Sequence, residues 1–273
     1  MDICAKSIEM LSKLNKNLKL ITIPQHILFS AGIVSCVIGS TSLSWLLVSY
    51  IGWLLIGFMG FNVFYHRYIA HSTFKTWRWL EVFGIYCGLL AGRGSPMWMA
   101  NLHTPQHHRY ADTDNDPHTP RRGFWFAYWT WQNETIKFSP VYCRKIFKDS
   151  VLKFMSRHYY KIFWVTAIIL LLIDWRLAIF GLMGAGVIQT HNEAIINSCG
   201  HMKNFGTRDF EVNDDSRNLR GLFALWTLGN SLHNNHHAYP NSYTYTVKKY
   251  DYDLAGRFIE LIATEKLIGP SPH

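Results

Sequence analysis

From Ile27 to Phe64 the chain carries no Asp, Glu, Lys or Arg. Those 38 positions are too many for one helix across a hydrocarbon core, which needs about 20 residues. Backbone in lipid must satisfy its own hydrogen bonds, so helices are the expected form. The run therefore reads as two spans, about residues 20–38 and 43–65, joined near Gly39–Ser44. The join has no Lys or Arg, whereas Lys13, Lys16 and Lys19 precede the run and Arg67, Lys75 and Arg78 follow it. The positive-inside bias puts both flanks on the cytosolic side.

A second hairpin is expected at about 159–174 and 177–199, turning at Asp174-Trp175-Arg176. Its first span is short unless Tyr159, Tyr160 and a snorkelling Lys161 extend it. Trp79 to Ala91 is apolar but too short to span, so it is expected in the membrane interface or over the active site. Residues 1–19 read as an amphipathic cytoplasmic segment. Residues 66–158 and 200–273 read as a cytosolic cap, with 238–273 as a soluble tail. The expected fold is all-α and integral to a membrane. It has four transmembrane helices in two hairpins and a cytosolic helical cap, forming one domain over 1–273. The first 20 residues show no apolar core with a cleavage site, so no removable signal peptide is expected.

Composition fits a chain only partly in lipid: 49% of residues are hydrophobic, yet mean hydropathy is near zero. The net charge of +9 is compatible with nucleic acid, an anionic membrane surface or acidic partners. No helix-turn-helix signature, zinc-finger spacing or long Lys/Arg run is present, which argues against nucleic acid. The five cysteines form no CxxC pair and read as reduced and structural.

The chemistry lies in the histidines. Nine of the 14 fall into a pattern: His66 and His71 as HxxxxH, His103, His107 and His108 as HxxxHH, His233, His236 and His237 as HxxHH, and His201 four residues after Asn197. On an α-helix, residues i and i+4 share a face. His103 and His107 are therefore expected to align, with His108 about 100° away and facing a neighbouring metal. His233, His236 and His237 project within one sector. Eight or nine converging imidazoles suggest two metals. Imidazole suits Zn, Cu, Fe and Ni, but zinc usually closes with four ligands, so a di-iron centre is favoured. Asn197 is a weak ligand and is assigned to a metal-bound water or to orienting a ring. Alone, any such histidine is more often structural or solvated. His26, His158 and His273 read that way, and His191 as a weaker candidate to support a ligand.

At these clusters the sequence resembles the membrane fatty-acid desaturases, most of all the acyl-CoA Δ9 (stearoyl-CoA) type. The stretches that carry the resemblance are HRYIAHSTFKT at 66–76, the second box trailed by ADTDNDPHTPRRGFWF at 111–126, NSCGH at 197–201 and GNSLHNNHHAYP at 229–240. It covers roughly residues 20–250. It implies metal ligands at His66, His71, His103, His107, His108, His201, His233, His236 and His237, with Asn197 reaching one of two Fe2+ ions through water. One departure stands out: the family's second box usually reads HxxHH, whereas His103 and His107 here are one residue further apart, with Pro105 between. Either the helix begins near Pro105 or the turn is bulged. Asp116, in a matching DPH, is expected to orient a ligand ring or cap a helix; Asp112 and Asp114 read equally well as solvated. Arg121 and Arg122 match a basic pair placed near the thioester head group or the electron donor.

The implied activity is oxygen-dependent removal of two hydrogens from a saturated acyl chain, with the substrate as acyl-CoA or acyl-lipid. The chain would sit in a dry apolar tunnel, for which Trp77–Trp79, Trp98 and Phe124–Trp131 are the aromatic candidates; an interfacial belt is the commoner role for such residues. No haem segment or iron–sulfur motif is present, so a separate donor, cytochrome b5-like or a ferredoxin, is expected. The implied location is a multi-pass membrane protein, in the endoplasmic reticulum if eukaryotic or the plasma membrane if bacterial, with a cytosolic active site. A membrane hydroxylase on a similar scaffold is the nearest alternative. A metal transporter is the alternative of another class, disfavoured because transporters hold ligands near mid-membrane.

Overall fold

The structure, a computed structural model, describes residues 2–134 and 136–270, with side chains from Lys19 onward; His273 lies outside them. The described residues are helical, with isolated bridges at Thr207, Asn218 and Leu232 but no strand. Helix α1 runs Asp2–Val37, and the chain turns through 38–44 into α2, Trp45–Trp53, which continues with wider π-type turns through Leu54–Ala70. Helix α3 is Arg78–Leu90. Helix α4, Pro96–Leu102, runs into a π-type turn at His103–His108. Short α5 (Phe124–Tyr128) and α6 (Arg144–Lys148) lead to α7, Ser150–Ile173. After Asp174, α8 runs Leu177–Gly184 and on without a break through Ala185–Cys199. Helices α9 (Leu222–Trp226), α10 (His233–Ala238) and α11 (Leu254–Ile262) follow.

Among the described residues, three helices are long and apolar enough to cross a membrane: Lys19–Val37, Trp45–Ala70 and Ser150–Ile173. Their free faces carry Ile27, Val34, Leu47, Ile51, Ile168 and Leu172, all exposed, as expected where lipid rather than protein covers a helix. The short apolar run Ile162–Ile173 is completed from its N-terminal side: α7 begins at Ser150, capped by the Asp149 carboxylate, which accepts from the Val151 and Leu152 amides. His158 marks a kink in it, with φ −107° and ψ 16°. Helix α8 is apolar only in its first half. From Gln189 onward it carries Gln189, Thr190, Asn192 and Asn197, all buried.

Helix α3 has 13 residues, about 20 Å at 1.5 Å per residue, against about 30 Å of hydrocarbon. It lies along the second half of α2 because both backbones are bare there. A Cβ on Gly60 would collide with the backbone of Cys87 and Gly88, and one on Gly88 would collide with Gly60 O and the Tyr65 ring. Small residues that let helices touch are a general packing device in such proteins. Gly60→Val should destabilise the fold by about 1–3 kcal/mol or more, read as a lower thermal midpoint in detergent. Gly181→Ala, whose Cβ would meet only Val48 Cγ1 at 3.7 Å, should stay within about 0.5 kcal/mol.

The segment read as a soluble tail is strapped onto the end of α2. Arg67, fully buried, donates to both oxygens of Asp253 at 2.9 and 2.8 Å and to Tyr243 O at 2.7 Å. Its guanidinium lies 3.8 Å from the Tyr245 ring centre.

Candidate metal centre

The nine patterned histidines form two clusters. His66, His71, His103, His108 and His236 bring one ring nitrogen each to within 4.8 Å of one another; His107, His201, His233 and His237 form the second set on the same criterion. In the first, His66 Nε2 lies 2.6 Å from His103 Nε2 and 3.1 Å from His236 Nε2, and His108 Nε2 lies 2.8 Å from His236 Nε2. In the second, His233 Nε2 is 2.8 Å from His201 Nε2 and 3.1 Å from His237 Nε2, and His107 Nε2 is 3.2 Å from His237 Nε2.

Local geometry explains the membership. In π-type turns the backbone hydrogen bond runs from i to i+5, so residues five apart come into line. His71 N donates to His66 O at 3.2 Å, and His66 and His71 share a cluster. His103 and His108 do likewise across the π-type turn that contains Pro105. The expectation that His103 aligns with His107 is thus corrected: the turn is bulged, and His107 joins the other cluster. In α10, His233 and His237 sit one α-turn apart in the second cluster, while His236 is dealt to the first.

These donor sets fit a metal. A neutral imidazole has one N–H and one lone pair, and on three rings of the second cluster the proton is claimed from outside. His107 Nδ1 faces both Asp116 oxygens at 3.3 Å, His201 Nδ1 faces Asp112 Oδ2 at 2.8 Å, and His237 Nδ1 faces Asp214 Oδ2 at 2.7 Å. Nδ1–H donation leaves the Nε2 lone pairs aimed at one another, an arrangement a cation resolves. In the first cluster, His71 Nε2 is buried without a hydrogen-bond partner, and Tyr245 OH lies 3.3 Å from His66 Nδ1. Burial first, then the neighbouring rings, holds His71, His103, His107, His233, His236 and His237 well below the usual imidazole range; His108 is lowered to about 3 by the same causes. Neutral rings are what metal binding requires. For His201, burial pushes the same way but the Asp112 carboxylate outweighs it.

Asp116 thus sits where a ring-orienting carboxylate belongs. Two more such carboxylates stand here: Asp112, which the sequence left open between this role and solvent, and Asp214, which the sequence reading missed. Asp112 adopts φ +59°, a left-handed conformation uncommon outside glycine but tolerated by Asp. Its Oδ2 also accepts from the Asp215 amide at 2.7 Å. The signal available was the i, i+4 spacing of Asp112 and Asp116; Asp214 had none.

Asn197 lines a cavity of ≈40 Å³ with Phe61, Met99, Leu102 and Ile196 as apolar walls and His66, His103 and His233 at its metal-facing side. Glu193 also faces it, held at 2.9 Å by Arg93, which reaches Gln132 at 3.1 Å. The aromatic candidates lie elsewhere. Trp77 and Trp79 are exposed, and Trp98 stacks on Trp131 at 6.0 Å. His191 and His26 pair with each other at 3.3 Å, outside both clusters, and Tyr128 OH holds His191 Nδ1 at 2.8 Å.

Residues 43–260 match the family model described as fatty acid desaturase. The chain belongs to that family. It is 36% identical over 219 residues to a Delta-9 acyl-lipid desaturase of Arabidopsis thaliana, covering 76% of this chain and 70% of the relative. An sn-1 stearoyl-lipid 9-desaturase of Anabaena variabilis is 30% identical over 210 residues, 76% of each chain. An acyl-CoA C20 Delta5-desaturase of Anemone leveillei is 30% identical over 247 residues, 87% of this chain and 78% of the relative.

Because His103 closes the first cluster from a bulged turn, its removal is the sharpest test of the grouping. His103→Ala should lower bound metal and activity as far as His236→Ala does, measured by metal analysis and product formation. Full metal content in His103→Ala would remove it from the ligand set.

Proposed function

We propose that the protein is an oxygen-dependent desaturase that places a cis double bond, at the Δ9 position, in a saturated acyl chain carried by a membrane lipid. The observation that carries the reaction class is the pair of buried imidazole clusters, of five and four rings, beside a largely apolar cavity. The position and carrier rest on relatives whose names specify a Δ9 acyl-lipid desaturase and an sn-1 stearoyl-lipid 9-desaturase. The acyl-CoA carrier that the resemblance implies is the second reading, favoured by the Anemone relative's name.

Each cluster would hold one Fe2+, and the bound pair would supply the activation of dioxygen needed to remove hydrogen from an unactivated carbon. The chain's residues do the rest. Phe61, Met99, Leu102 and Ile196 would seat the acyl segment against His66, His103 and His233, fixing which C–C bond faces the metals. Burial of the rings excludes bulk water. Asn197 faces the same cavity and would hold a metal-bound water. Topologically we infer four spans in two hairpins, α1–α2 and α7–α8, with the clusters in a cytosolic cap. Helix α8 would be the fourth span, its polar half buried against α2 and α5 rather than lipid. Electrons would come from a separate cytochrome b5-like or ferredoxin donor. Exposed Arg121 and Lys203, both paired with Asp215, offer an acidic donor a basic landing point next to Asp214 and His237.

Expression in a desaturase-deficient host should restore a Δ9 monounsaturated acid, seen by lipid chromatography, and His236→Ala should abolish it. Pulse-labelled lipid should gain the double bond without passing through a free acyl-CoA product; label appearing first in unsaturated acyl-CoA would reassign the carrier. An alcohol in place of the alkene would make the protein a hydroxylase.

A further inference from the structure

The two clusters differ in what stands behind their rings. Three of the four rings in the second cluster have a carboxylate on Nδ1: Asp116 behind His107, Asp112 behind His201 and Asp214 behind His237. These carboxylates are fixed in turn. Asp116 accepts from the amides of Asp112 at 3.1 Å and His118 at 3.2 Å, Asp112 accepts from the Asp215 amide, and Asp214 accepts from the Ser216 amide at 2.9 Å. Among the described residues, no ring of the first cluster hydrogen-bonds a carboxylate. The groups outside its rings are neutral ones such as the Tyr245 hydroxyl on His66, and His236 Nδ1 has no hydrogen-bond partner.

We infer that the two metal sites are unequal: the second cluster is the tight, retained site and the first is the labile one, with Asp112, Asp116 and Asp214 as the positioning residues that make them so. The inference rests on the di-iron reading above. A carboxylate behind an imidazole fixes the ring, fixes its tautomer and raises its basicity, and loss of such a partner typically costs 10–100-fold in metal affinity. Three carboxylates also set three negative charges directly behind rings of the second cluster, and among the described residues none is hydrogen-bonded to a ring of the first. The extra histidine of the first cluster works against this difference. It adds a neutral donor, one whose Nε2 is buried, but no charge.

The test uses the full chain purified in detergent with its iron, exposed to graded chelator, with retained iron measured at each step. The expected result is two steps of one metal each, separated by at least about tenfold in chelator concentration. Asp112→Asn keeps the side-chain shape, one acceptor and tolerance for the left-handed backbone but removes the charge. It should move the resistant step about 10–100-fold toward the labile one and leave the labile step in place. Asp214→Asn, on a different loop, should do the same and serves if Asp112→Asn fails to fold. Tyr245→Phe should touch only the labile step. His71→Ala should retain the resistant metal and His201→Ala only the labile one. Both metals leaving together, Asp112→Asn and Asp214→Asn both leaving the resistant step in place, or His71→Ala retaining only labile metal would overturn the inference. Protein that holds no metal, or one, would instead overturn the di-iron reading beneath it.

Discussion

A neutral imidazole owns a single proton, and nine imidazoles are gathered here in two clusters of facing ring nitrogens. Where those protons go decides the rest of the site. On His107, His201 and His237 they go outward to Asp116, Asp112 and Asp214, so the lone pairs are left pointing at each other. A buried lone-pair cluster is unfavourable unless a cation fills it, because a buried polar group left unpaired costs about 1–3 kcal/mol. The donor set is thus one whose facing lone pairs a bound cation would relieve. The left-handed backbone of Asp112 is of the same kind, a local cost of about 1–3 kcal/mol held in place by its surroundings.

Holding rings from four stretches of chain together demands rigid supports, and the fold supplies them from both ends. The first box rides on the end of α2, which is clamped by the glycine contact with α3 and by the Arg67–Asp253 pair. Breaking a fully buried pair of this type typically costs about 3–5 kcal/mol, since it strands a charge. That pair also brings Tyr245 to His66 and His236. The C-terminal segment is therefore part of the scaffold of the histidine clusters, although it contributes no ring to either.

Much of this was legible in sequence, and what was missed has a common cause. The apolar run at 27–64 and its break near Gly39 follow from hydropathy alone. The nine histidines follow from their recurrence. Their partition did not, because it depends on backbone hydrogen-bond pattern: α-helical arithmetic pairs His103 with His107, whereas π-type turns pair His66 with His71 and His103 with His108. Asp112 stayed open and Asp214 was hidden, since a carboxylate in a polar loop looks the same whether it meets water or an imidazole 89 or 23 residues away. The role of Arg67 was masked by its reading as a positive-inside flank, which is what its position at a span end suggests.

The π-type turn also makes sense of the one departure from the family's second box. In HxxHH spacing the first and last histidines are i and i+4, one α-turn apart. Here an extra residue makes them i and i+5, so an ordinary helix would swing His103 away from His108 by about 100°. Widening the turn restores the alignment without moving His107, and Pro105, which has no N–H to lose, sits inside the widened stretch. Thr104 Oγ1 anchors it by donating to Ala70 O at 2.8 Å, tying the bulge of the second box to the end of the first. The longer spacing of this box is thereby absorbed by one local change in hydrogen bonding, and His103 and His108 stay in one cluster.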